Sequence, residues 1–132
     1  MIARLTDALD FHSQALTLRA ERQRLIASNI ANADTPGYQA RDFDFSAALR
    51  AATGGASAGQ GIARNIMGSG NPAAPELRYA LPSQTNLDSN TVDMDRERAA
   101  FQDNAVRYQA TLQFIGSNVR MTLDAMKSQN QA

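Results

Sequence analysis

The sequence predicts a mainly α-helical chain. Two long terminal helices form an antiparallel coiled-coil hairpin, and a flexible, β-poor Gly/Pro-rich middle segment joins them. Three observations predict this. Apolar residues recur at three- and four-residue steps from Ile2 to about Asn32, and a stricter seven-residue repeat runs from Phe101 to Met126. Between them the composition changes: six of the eight glycines and three of the four prolines fall in residues 51–90. A length of 132 residues fits one domain, and 43% hydrophobic with only 6% aromatic content promises no large compact core. The chain divides into residues 1–50 (a helix and the turn after it), the middle segment 51–90, and the helix in 91–132, with the two helices forming one unit.

In the first helix one seam runs through Ile2, Leu5, Leu9, His12, Leu16, Arg19, Gln23, Ile26 and Ile30, six of nine apolar. A second seam one residue back holds Ala8, Phe11, Ala15, Leu18 and Leu25. Successive residues sit ~100° apart, so the two seams make a wide apolar face, interrupted from Arg19 to Arg24. One partner helix cannot cover such a face. Burial inside a bundle is one account, but the chain offers only one other long helix, and contacts with neighbouring subunits are the better one.

The helix closes in Asn29, Ile30, Ala31, Asn32 and a turn at Thr35, Pro36, Gly37 and Tyr38. Pro36 cannot continue a helix and drives Thr35 out of the helical region, while Gly37 supplies a positive φ, so residues 35–38 read as a type II turn. Asn32 reads as a left-handed helix stop. The amides of Asn29 and Asn32 can bind nearby backbone, tying the helix end to its loop. Taken singly, these residues are explained by an ordinary C-cap and turn.

Phe43 and Phe45 alternate with acidic residues and can pin their segment back onto a helix, and Ser46 to Arg50 suggests one helical turn. The glycine-rich stretch after Ala51 cannot bury enough to offset its ordering entropy. Leu77, Tyr79 and Leu81 alternate as a short strand. The second helix opens near Asp93, with Asp93 or Thr91 as N-cap and Asp95 and Glu97 in the dipole-favoured first turn, and runs to about Ser128. Its seam is Phe101, Ala105, Tyr108, Leu112, Ile115, Val119, Thr122 and Met126. At 1.5 Å per residue the helices span ~45 to 55 Å, long enough to lie side by side. Gly116 inside the second helix costs up to ~1 kcal/mol and either admits another backbone or is tolerated drift.

Thirteen basic residues balance thirteen acidic ones, and the balance also holds within each third of the chain, which argues against nucleic acid or anionic lipid as a partner. No cysteine is present to supply a disulfide, thiolate ligand or nucleophile. The single histidine, His12, occupies a seam position suited to packing or hydrogen bonding rather than catalysis. Asp42 with Asp44, and Asp93 with Asp95 and Glu97, suit caps and solvated faces better than a carboxylate pair or a calcium loop. No phosphate-binding glycine loop, membrane-length apolar stretch or signal-peptide core is visible. The expectation is a protein without catalytic residues, cofactor, metal or small-molecule substrate and without direct membrane insertion.

Asn29-Ile30-Ala31-Asn32, with Thr35, Gly37 and Tyr38, resembles the N-terminal signature of the bacterial flagellar axial proteins. Leu9-Asp10-Phe11-His12, Ala15-Leu16, Leu18-Arg19, Ala33 to Tyr38, Arg41 to Phe45 and Asn90 to Asp95 narrow the resemblance to that family's proximal-rod members. The resemblance implies a structural subunit of the basal-body rod that polymerises helically with its own copies and with other flagellar rod proteins and transmits torque. It also implies contact with the adaptor joining the rod to the membrane ring and export gate, and type III export to the periplasm without cleavage of the N-terminus. Arg98 and the polar tail from Lys127 to Ala132 depart from the family pattern, which bears on how far the ends of the second seam are buried. The alternative is a type III export chaperone or a secreted helical-hairpin effector.

Overall fold

A computed structural model describes residues 2–54, 77–79 and 87–129, with side chains described for 6–53, 77–79 and 87–127. Most of the predicted flexible middle segment, including Leu81, lies outside the described residues.

Helix α1 spans Ile2–Ala31. It ends as the backbone tightens: the Asn32 N–H donates to Ser28 O (3.1 Å) and Asn29 O (3.2 Å), and the Ala33 N–H donates to Ile30 O (3.2 Å). Asn32 is not the left-handed stop that its residue type suggests, since Ser89 is the only non-glycine with positive φ among the described residues. The reason is local. The Asn32 amide donates back to Ser28 O at 2.8 Å and its carbonyl accepts from Thr35 N–H at 3.0 Å, so the chain leaves the helix through a further right-handed turn. The reversal comes at Gly37, with φ 72° and a 3.2 Å bond from Tyr38 N–H to Thr35 O, as the type II reading requires.

Strand β1 (Arg41–Asp42) pairs antiparallel with β2 (Arg78–Tyr79), Arg41 opposite Tyr79 and Asp42 opposite Arg78. The expected strand near residue 79 is therefore present and short, and its partner was not expected. Helix α2, Phe45–Gly54, is longer than the single turn foreseen. Asp44 caps it, with Oδ1 accepting from Ala47 N–H (3.1 Å) and Ser46 Oγ (2.8 Å), ahead of an alanine-rich run of high helix propensity.

The α1–α2 contact corrects one expectation. Leu18 and Leu25 of the second α1 seam are buried with Phe43, and Phe45, Ala48 and Leu49 pack on that cluster. A short third helix within the chain thus covers part of the face that periodicity alone leaves to neighbouring subunits. The phenylalanine pair does pin its segment onto α1.

Helix α3 spans Met94–Gln129. Asp93 is its N-cap, with Oδ1 accepting from the N–H groups of Asp95 and Arg96 at 3.2 Å each. Asp95 and Glu97 occupy its first turn and Lys127 its last, both favourable to the helix dipole. Contacts to α1 run from Glu97 with Asn29, through Asn104 with Arg19 and Gln23, to Phe114 with His12. Partners fall along α1 as they rise along α3, so the two helices run in opposite directions.

Candidate functional site

The residues of the turn signature meet where α1 ends and α3 begins. Asn29 sits in the last turn of α1 and is only 1% exposed. Its Nδ2 donates to Arg41 O (2.9 Å) and to Glu97 Oε2 (3.2 Å), and its Oδ1 accepts from Arg41 N–H (3.0 Å) and the Tyr38 hydroxyl (3.3 Å). All four hydrogen-bonding positions of the amide are used. One side chain thereby joins α1, the turn, β1 and α3.

Asn90 holds the same turn from the other side. Its buried Nδ2 lies within hydrogen-bond distance of Asn32 O (3.0 Å), Ala33 O (2.7 Å) and Thr35 O (2.9 Å), and its Oδ1 accepts from Val92 N–H at 2.8 Å. Gly37 N–H donates to Asp88 O (2.8 Å), and Thr91 N–H donates to Tyr38 O (3.1 Å). Thr91 Oγ1 accepts from Ala40 N–H at 2.9 Å, so this threonine ties down the loop while Asp93 serves as the cap. Residues 88–91 and 32–40 are thus laced together through orphan carbonyls and amides that a loop would otherwise expose to water.

Charge at this joint is unevenly shared. Arg22 grips Asp42 with both carboxylate oxygens engaged, at 3.2 and 2.9 Å. Glu97 has the Asn29 amide but, among the described residues, no such ion-paired cation. Its burial, with Asp42 nearby, raises its pKa against the opposing effects of the Asn29 hydrogen bond, Arg96 and Arg22.

Farther along, the polar interruption of the first α1 seam meets polar residues of α3. The buried Asn104 donates from Nδ2 to Arg19 O (2.9 Å) and Gln23 Oε1 (2.6 Å), and Gln23 Nε2 donates to Phe101 O (3.5 Å). Arg19 Nε donates to Thr111 Oγ1 at 3.2 Å while its guanidinium lies 4.5 Å over the Phe45 ring. Desolvation, followed by the neighbouring Arg107, lowers the Arg19 pKa. His12 packs, as its position suggested, stacked on Phe114 at 6.1 Å.

The predicted seam residues separate into two groups. Leu18 and Ile26 are buried, Leu9, Leu16, Ala105, Tyr108 and Ile115 are partly buried, and Leu5 lies outside the described side chains. Phe11 on α1 is exposed, as are Phe101 (37%), Leu112 (45%), Val119 and Met126 (60%), which with Leu123 form an apolar line along α3, while the exposed Phe114 and Met121 lie on another side of that helix. In the turn, Ile30, Asn32 and Tyr38 are partly covered, while Ala31, Thr35, Pro36 and Gly37 face outward. Sequence alone marks Asn90 only within the family resemblance and Thr91 also as a candidate cap, and it does not point to Asn104 or Thr111. The available signal for Asn104 was a poor helix former in the interior of a long helix. Among the described residues no group of His, Cys, Asp and Glu is placed to hold a metal ion, and no helix is long and apolar enough to cross a membrane.

Comparison with known proteins bears on what this arrangement serves. The model of the "Flagella basal body rod protein" family matches residues 9–39, which include α1 from Leu9 and the whole turn. The chain is 44% identical to the flagellar basal body rod protein FlgB of Salmonella typhimurium, over 98% of this chain and 100% of that protein. Identity is 42% to Escherichia coli FlgB over the same shares, and 41% to Cereibacter sphaeroides FlgB over 93% of this chain and 96% of that protein.

Proposed function

Since the chain belongs to the FlgB family of flagellar basal body rod proteins, we propose that it is a structural subunit of the proximal rod, working by assembly rather than by catalysis. The observation that carries this reading is the exposed apolar line Phe101, Leu112, Val119 and Met126 on α3, which lies directly beside the face of that helix already committed to α1. An amphipathic helix with a second apolar margin in water is suited to a bundle of more than two helices, and copies of this chain and other rod proteins would supply the rest. In the assembly α1 and α3 act as an antiparallel coiled coil, and the Asn29 and Asn90 joint makes the pair rigid enough to pass torque along the rod. The adaptor between rod, membrane ring and export gate is a further partner. The subunit reaches the periplasm by type III export with its N-terminus uncleaved. Membership of a rod family weighs against the alternative of an export chaperone or secreted effector.

Leu112→Asp tests the reading. The leucine is half-exposed, so the free chain should lose little stability. In the assembly the change forfeits about 1 kcal/mol from the half of the side chain still to be buried and adds the larger cost of a buried carboxylate in every subunit. The expected result is a variant that reaches the periplasm, detected with an antibody after fractionation, in cells that do not swim. Swimming Leu112→Asp cells would remove this seam from the assembly interface, and cytoplasmic retention would mean that the residue also serves export.

A further inference from the structure

Helix α3 carries two lines of residues at alternating three- and four-residue steps, both passing through Tyr108, Ile115 and Thr122. One also holds Asn104, Thr111 and Asn118, the other Phe101, Ala105, Leu112, Val119 and Met126. Their centres differ by about 50° around the helix, half of a ~100° residue step. If apolar burial alone decided, the second line would face α1. The structure shows the reverse, with Asn104 and Thr111 buried and Phe101, Leu112, Val119 and Met126 exposed.

We propose that Asn104 and Thr111 key the rotation of α3 on α1, turning the polar line inward so that the chain cannot bury its own apolar seam. The keys fit a matching lock. Asn104 donates to Arg19 O and Gln23 Oε1, Gln23 donates to Phe101 O, and Arg19 Nε donates to Thr111 Oγ1. Thr111 Oγ1 in turn donates to Arg107 O at 2.9 Å. Turning the apolar line inward would set Phe101 and Leu112 against Arg19 and Gln23, stripping both of partners and of water. Arg19 is further held by its place over Phe45, which links the rotation of α3 to the docking of α2. Maximum stability is not what the amide supplies: Asn104 Oδ1 is buried and finds no hydrogen-bond partner among the described residues. A buried asparagine that costs stability while excluding other alignments is the known use of such residues in paired helices. That the outward seam serves assembly rests on the function proposed above, whereas the keying does not.

The test uses the full chain, which lacks cysteine and so accepts single reporters. Maleimide labelling is measured at Leu112→Cys and, separately, at Asn118→Cys, each with and without N104L/T111V. Rotation predicts opposite changes: labelling at position 112 slows several-fold and labelling at 118 speeds up, with helicity by circular dichroism at least maintained. Faster labelling at both positions with lost helicity, in the double variant and in N104L alone, would overturn the proposal by making the polar pairs net stabilising. Unchanged rates at both positions would overturn it as well. Opposite changes in cells that still swim would support the keying and refute the assembly role of the seam.

Discussion

Asn29 reaches Glu97 across 68 positions of sequence: the amide Nδ2 in the last turn of α1 lies 3.2 Å from the carboxylate Oε2 in the first turn of α3. Because the same amide also satisfies both backbone groups of Arg41 and the Tyr38 hydroxyl, its loss strands several groups together. Asn29→Ala is expected to cost about 3 kcal/mol, the sum of one or two buried groups left without partners. Asn29→Asp should cost more, since it removes both donors and sets a carboxylate beside Glu97 and Asp42. Urea unfolding of the full chain measures both, and an unchanged midpoint for Asn29→Ala would contradict the account of the joint.

Glu97 gives the joint a pH dependence of known sign. Its pKa in the folded chain is raised by burial above the ordinary 4.5, so folding favours its protonated form. Its favourable contribution is full below pH 4.5 and is lost as pH rises through the raised folded value. Glu21 runs the other way: held low by its hydrogen bond to Arg24, it contributes stability above its ordinary pKa and loses it in acid. Glu97→Gln isolates the first effect. The stability of Glu97→Gln relative to the parent chain should increase from pH 4.5 towards 7. A difference that is flat across that range would refute the burial argument.

Asn90 is expected to tolerate no replacement that lacks an amide. Asn90→Asp is similar in size but presents oxygens to Asn32 O, Ala33 O and Thr35 O, so repulsion replaces donation. It should destabilise by about 3 kcal/mol or more, and exceed Asn90→Ala, which only leaves the carbonyls unpaired. Thermal unfolding followed by circular dichroism ranks the two. The reverse order would show that these carbonyls do not depend on the amide.

Two glycines should respond in opposite directions to alanine, although at both, among the described residues, nothing beyond the adjoining backbone lies within 4 Å of where a Cβ would sit. At Gly37 the φ of 72° makes the change costly by ~1 to 2 kcal/mol through backbone strain alone. At Gly116, inside a regular helix, the same change should stabilise the free chain by up to ~1 kcal/mol. Denaturation of the two variants side by side is sufficient. A loss of stability at Gly116→Ala would reveal a contact that the open space around it does not show.

Much of this protein was legible from local chemistry. Helix periodicity placed α1 and α3 within a residue or two of their ends, because a run of thirty or more residues with one repeat leaves little room for another reading. Asp93 as a cap and Gly37 at positive φ followed from residue type, since few side chains suit either position. The joint was half legible: Asn29 and Asn32 were expected to bind nearby backbone, and they do.

What only the tertiary structure decided involved partners far apart in sequence. The role of Asn90 depended on three carbonyls more than fifty positions away. Leu18 and Leu25 went to α2 because Asp44 capped a helix there and Phe43 dropped into the cluster beneath it. The rotation of α3 was the largest departure. Hydrophobic periodicity ranks the faces of a helix by their apolar area, but an arginine and a glutamine already present on the facing helix must be paired when buried, and that cost outweighed the gain from turning Phe101 and Leu112 inward.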